Sequence, residues 1–136
     1  MARRAEARRY TRVTSPRALV ALVDDDESVR ESLPDLLRTL GFAARAFASA
    51  EDFLASDCVA VTRCMLLDVA MPGMTGPELH RELTRRKYAM AIIYITARAD
   101  QTLRQQLLQQ GAVDCLFKPF SEQQLRVALD AALQRT

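Results

Sequence analysis

Four short apolar runs, each closed by a polar residue, divide this chain. Residues 18–23 lead into Asp24-Asp25, residues 63–67 into Asp68, residues 91–95 into Thr96, and residues 112–117 into Lys118. Continuous apolar runs of this length read as strands buried on both faces. Residues 42–47 supply one further strand between the first two of these. The segments separating the runs carry a helical period instead. Val29, Leu33, Leu36, Leu37 and Leu40 recur at helical spacing ahead of Gly41, and Leu125, Ala128, Leu129 and Ala132 do the same near the end. Strands separated by helices cannot be hairpins, so they run parallel with helices covering both faces of one sheet. The pattern is a five-fold β-α alternation.

Local signals set the element ends. Asp26 suits the N-cap of the first helix, and Ser49 with Ala50, Glu51 and Asp52 starts a short second helix through Phe53 and Leu54. Pro34 lies inside the first helix, where a kink or local widening is expected. The turn-rich segment 71–77 feeds a third helix with Pro77 suited to its first position. The fourth helix, residues 100–110, has only Leu103, Leu107 and Leu108 as large apolar residues among flanking glutamines, so its anchorage is thin.

Length and composition place these elements in one domain. The chain has 136 residues, 49% hydrophobic and 26% charged, and no apolar run approaches the ~20 residues of a membrane span. The net charge of +2 is uneven: six arginines against Glu6 alone give residues 1–17 a charge of +5, which leaves −3 for residues 18–136. Residues 1–17 read as a basic, solvated leader, with contact to nucleic acid or an acidic partner as the alternative; Ala5-Glu6-Ala7-Arg8-Arg9 follows the twin arginines Arg3-Arg4 in place of an apolar segment, so a signal peptide is not expected. Cys58, Cys64 and Cys115 are odd in number and form no CxxC pair, and His80 is the only histidine. A zinc site is not expected, and reduced thiols in the cytoplasm are the simplest reading.

In open parallel sheets, ligands bind outside the carboxyl ends of the strands. Asp24, Asp25, Asp68, Thr96 and Lys118 therefore belong to one edge. Three clustered carboxylates repel one another unless a cation lies among them, and hard oxygen ligands suit Mg²⁺. Asp68 is then a candidate nucleophile toward a phosphoryl group, with the Lys118 charge and the Thr96 hydroxyl set to stabilise the charge that develops. Singly, each residue fits a helix terminus, a turn or a strand end. It is their joint occurrence at four strand ends that points to phosphoryl chemistry.

The sequence resembles the receiver domains of two-component response regulators, CheY-like and in detail the FixJ-like subgroup. The resemblance rests on Val23-Asp24-Asp25-Asp26-Glu27, Gly41-Phe42, Ser49-Ala50-Glu51 with Phe53-Leu54, Asp68 with Met71-Pro72-Gly73-Met74 and Gly76, Ile95-Thr96-Ala97, and Gly111 to Asp114 with Lys118-Pro119-Phe120. It implies a (βα)5 flavodoxin-like, doubly wound parallel sheet of order 2-1-3-4-5. It also implies that a sensor histidine kinase phosphorylates Asp68, with Mg²⁺ held by Asp25, Asp68 and the Ala70 backbone carbonyl, and by Asp24 through water. The Ala97 backbone N–H would join Thr96 and Lys118 on the phosphoryl oxygens. Lys118-Pro119 is expected to be cis.

Departures from the family pattern shape the rest of the expectation. Receivers usually carry an aromatic ring three residues before the lysine, and here the switch position paired with Thr96 is Cys115, read as an inert buried thiol. Ala70 offers no second carboxylate, which argues against a phosphatase of the haloacid-dehalogenase type. His80 is read as a surface residue and Tyr94 as core, its hydroxyl needing a partner if buried. The expected function is a self-catalysed phosphoacceptor without sustained turnover, switching the face of the fourth helix, fifth strand and fifth helix toward an effector protein, an output domain or a phosphorylation-dependent homodimer. No direct nucleic-acid binding by the receiver itself is expected, and a pseudo-receiver that binds partners without phosphorylation is the alternative. Because the chain ends at Thr136, the expectation covers both a stand-alone regulator and the N-terminal part of a DNA-binding transcriptional regulator.

Overall fold

The computed structural model describes residues 17–134, so the basic leader, apart from Arg17, lies outside the described residues. Five strands and five helices alternate: β1 (Leu19–Val23), α1 (Glu27–Thr39), β2 (Ala43–Phe47), α2 (Ala50–Leu54), β3 (Thr62–Asp68), α3 (Gly76–Arg85), β4 (Ala91–Thr96), α4 (Gln101–Gln109), β5 (Asp114–Phe117) and α5 (Glu122–Gln134). All pairings are parallel and the strand order is β2-β1-β3-β4-β5, as expected from the sequence. The order reverses direction around β1, which opens the crevice at the carboxyl ends of β1 and β3.

Alternation along the strands builds two cores. Val20, Leu22, Cys64, Leu66, Ile93 and Ile95 point to the face covered by α1 and α5. Ala21, Val23, Met65, Leu67, Ile92 and Tyr94 point to the face covered by α2, α3 and α4. The central strands are thus buried on both sides, which is why they read as continuous apolar runs.

Caps settle where the helices start. Asp26 accepts from the Ser28 N–H, Ser49 from the Asp52 N–H, and Asp100 from the Leu103 N–H. Thr75 and Glu78 form a capping box at α3, which puts Pro77 at the second helical position rather than the expected first. Ser121 and Gln124 exchange equivalent bonds at the start of α5. α1 continues across Pro34 as one helix with the proline buried. Gly41, at φ +102°, takes the left-handed turn after it. The fourth helix buries only Leu107, while Leu103 and Leu108 are partly covered.

Candidate functional site

Four of the five strands, β1, β3, β4 and β5, end by delivering a polar group to the same edge. Asp24 follows β1 and has no exposed surface, Asp68 is the last residue of β3, and Thr96 is the last of β4. Asp25 is exposed beside them. One carboxylate oxygen from each of Asp24, Asp25 and Asp68 lies within 4.8 Å of the others. Burial first, then the negative charge of Asp24, pushes the Asp68 carboxyl up to about 7, against the opposing pull of Lys118. Such a set is destabilised by its own charge and relieved by a divalent cation, so these residues fit a metal of the Mg²⁺ type.

Asp24 is held from three sides. Its Oδ1 accepts from the Asp26 N–H at 2.9 Å, its Oδ2 from Lys118 Nζ at 2.8 Å, and its carbonyl from Arg30 Nη1 at 3.0 Å. Lys118 leaves β5 through a cis peptide to Pro119, as expected, and its backbone N–H bonds the Thr96 carbonyl at 2.8 Å. That bond ties the lysine-bearing turn to β4. The Thr96 hydroxyl oxygen accepts from the Arg98 N–H at 3.1 Å, while Ala97 and Ala70 sit exposed at the rim. The structure therefore brings Asp24, Asp25, Asp68, Thr96 and Lys118 to one edge, with Ala70 and Ala97 on its two flanking loops.

Cys115 lies apart from this edge. In the β4–β5 register it pairs with Tyr94, while Thr96 pairs with Phe117. Cys115 is buried on the α2/α3/α4 face, and burial pushes its thiol up to about 11, which favours the protonated form at neutral pH. His80 corrects a sequence expectation: it is half-buried rather than at the surface, and its Nδ1 lies 3.0 Å from the Tyr94 hydroxyl. The reason is Tyr94 itself, which is fully buried and whose hydroxyl needs a partner in the interior.

Two further contacts escaped the sequence reading. Arg104 of α4 reaches Asp114 at 2.7 Å and the Cys115 carbonyl at 3.3 Å, fastening the thinly anchored helix to β5. Glu51 of α2 accepts from the Met74 N–H at 3.0 Å, beside the loop that follows Asp68. Neither pair has a signal in spacing, because each joins separate elements.

Among the described residues, no helix is long and apolar enough to cross a membrane. Comparison with known proteins converges on one family. The model of the response regulator receiver domain matches residues 20–130. Nodulation protein W of Bradyrhizobium diazoefficiens is 41% identical over 121 residues, covering 89% of this chain and 53% of that protein. The transcriptional regulatory protein FixJ of Azorhizobium caulinodans is 39% identical over 117 residues, covering 86% and 56% respectively. The crystal structure of FixJ-N superimposes with a TM-score of 0.79 at 35% identity, covering 90% of this chain and 98% of that one. The chain spans about half the length of the curated relatives it matches. With the strand order, the acidic cluster and these matches together, the chain belongs to the response regulator receiver domain family.

Proposed function

We propose that this domain is a phosphoacceptor whose Asp68 is phosphorylated by a sensor histidine kinase. The observation that carries the reading is the convergence of three carboxylates, within 4.8 Å, at the strand edge that also receives Lys118. An Asp68 carboxylate oxygen attacks the phosphorus of a phosphohistidine, the P–N bond breaks, and the imidazole leaves as an acyl phosphate forms. Asp25, Asp68 and the Ala70 carbonyl would hold Mg²⁺, with Asp24 acting through water, and the cation would supply positive charge toward the phosphoryl oxygens.

The chain's own groups complete the charge balance. Thr96 accepts from the Arg98 N–H and keeps its hydroxyl proton to donate to a phosphoryl oxygen. The Ala97 N–H and the Lys118 ammonium take the others. Lys118 then exchanges part of its contact with Asp24 for the phosphoryl group. Ala70 presents no general acid or base two residues after Asp68, which favours a self-catalysed acceptor over a turnover phosphatase.

Phosphorylation adds charge at one edge and changes the affinity of the face formed by α4, β5 and α5. A groove of about 520 Å³ lies there, lined by Arg104, Asp114, Cys115, Phe117, Gln124 and Val127. Its occupant is an effector protein, an output domain or a second copy of this chain. The domain works in the cytoplasm, and the receiver body, unlike a DNA-binding output domain, does not contact nucleic acid directly. Incubation with acetyl phosphate and Mg²⁺, followed by mass and size-exclusion chromatography, tests the reading. One phosphoryl group is expected on the wild type and none on Asp68→Asn. An unmodified wild type that still binds its partner would establish a pseudo-receiver instead.

A further inference from the structure

We infer that Glu51 is a positioning residue for the proposed metal site: from α2, its carboxylate holds the tip of the loop that carries Ala70. This rests on the phosphoacceptor reading, because the Ala70 carbonyl is a ligand only there.

The loop leaves β3 at Asp68 and is closed at its base by the Gly76 N–H, which bonds the Val69 carbonyl at 3.1 Å. The approach is tight: a Cβ on Gly76 would lie 2.3 Å from the Asp68 carbonyl oxygen. Val69 is in turn tied to the Ile95 carbonyl at 3.2 Å. At the tip, Gly73 turns with φ +73°, and a Cβ there would stand 2.8 Å from Glu51 Oε2. The same oxygen accepts from the Met74 N–H at 3.0 Å. Ala70, Met71 and Pro72 are therefore strung between a fixed base and a fixed tip.

Glu51 can serve as an anchor because its own helix is seated. α2 is short, but Ala50 and Phe53 on either side of Glu51 have no exposed surface, and Ser49 caps the helix. The contact spans 23 residues of sequence, so it exists only in the folded chain. A loop pinned at both ends presents its carbonyl with little ordering cost on binding. Freed at the tip, it must be ordered by the metal itself, and affinity falls.

The test compares Glu51→Ala and Glu51→Gln with the wild-type chain. Glu51→Gln keeps an oxygen that can accept from Met74 and removes the charge. Titration with Mg²⁺ alone, followed by backbone NMR, should show Glu51→Ala binding about fivefold more weakly and Glu51→Gln within about twofold of wild type. Phosphorylation by acetyl phosphate should need about fivefold more Mg²⁺ for half its maximal rate in Glu51→Ala, with the rate at saturating Mg²⁺ preserved. Without metal, the Met74 amide should lose hydrogen-exchange protection in Glu51→Ala while residues 19–23 keep theirs. Unchanged Mg²⁺ binding in Glu51→Ala beside a wild type that binds and is phosphorylated overturns the inference alone. Equal weakening in Glu51→Gln assigns the effect to charge, and loss of protection across the sheet assigns it to general stability; both overturn it too. A wild type that takes up neither Mg²⁺ nor phosphate overturns the phosphoacceptor reading first.

Discussion

Lys118 Nζ donates to Asp24 Oδ2 at 2.8 Å, across 94 residues of sequence, and Asp24 has no exposed surface. The pair joins the two ends of the fold, the first strand's carboxyl end and the turn after β5. A buried carboxylate tolerates its position only while it is paired and hydrogen-bonded, and Lys118 supplies the charge that the backbone donors cannot.

Removing that ammonium should therefore cost stability as well as phosphorylation. Lys118→Met is expected to lose about 3 kcal/mol in urea denaturation, and adding Asp24→Asn to it should recover part of the loss. A change below about 1 kcal/mol in the single variant would show that solvent, not Lys118, stabilises Asp24.

The Asp68 carboxyl gives the metal-free domain a distinctive pH dependence. Burial and the charge of Asp24 raise its pKa from the ordinary value of 3.8 to about 7. The folded state thus holds this proton more tightly than the unfolded state, and the group's contribution to stability falls as pH rises across that window. Asp68→Asn should raise the unfolding temperature in EDTA strongly at pH 7.5, less at pH 5, and little below the ordinary carboxylate value of 3.8. Equal effects at both pH values would place the origin outside this titration.

His80 and Tyr94 should behave as a coupled pair. Tyr94→Phe and His80→Ala each leave one partner unsatisfied, so a double-mutant cycle is expected to show an interaction of about 1 kcal/mol. Burial lowers the His80 pKa, so the neutral ring is favoured in the fold and this contribution is lost as pH falls below its ordinary value of 6.5. Additive single-mutant losses would mean that the two groups do not support each other.

The fourth helix should open first and should relay the switch. Only Leu107 is buried on it, and Arg104 fastens it through Asp114. Hydrogen exchange should find its amides less protected than those of α5, which buries Leu125, Ala128, Leu129 and Ala132. On adding beryllofluoride, backbone NMR shifts should extend through residues 100–116 without an aromatic at position 115, because a weakly packed element needs little differential free energy to move. Shifts confined to the Asp68 loop and Thr96 would exclude that relay.

Strand positions, helix faces and the convergence of Asp24, Asp25, Asp68, Thr96 and Lys118 on one edge were all legible in the sequence. The reason is physical: a strand buried on both faces must be apolar throughout, so its end is marked by the first polar residue. In a parallel sheet every such end lies on the same side. Local chemistry also marked the caps at Asp26 and Ser49, because a side chain bonding two or three residues ahead needs no tertiary partner.

Other pairings were decided by the folded chain alone. His80 looked like a surface residue because its helical position says nothing of Tyr94, which arrives from another strand with a hydroxyl to satisfy. Cys115 stands where receivers usually carry an aromatic, and that it lies beside Tyr94 is set by the β4–β5 register, which only inter-strand pairing fixes. Glu51 meets Met74, and Arg104 meets Asp114, because long side chains reach whatever the packing places within hydrogen-bond distance. Periodicity encodes which face a residue occupies, while the partner across that face is chosen by the assembled layers.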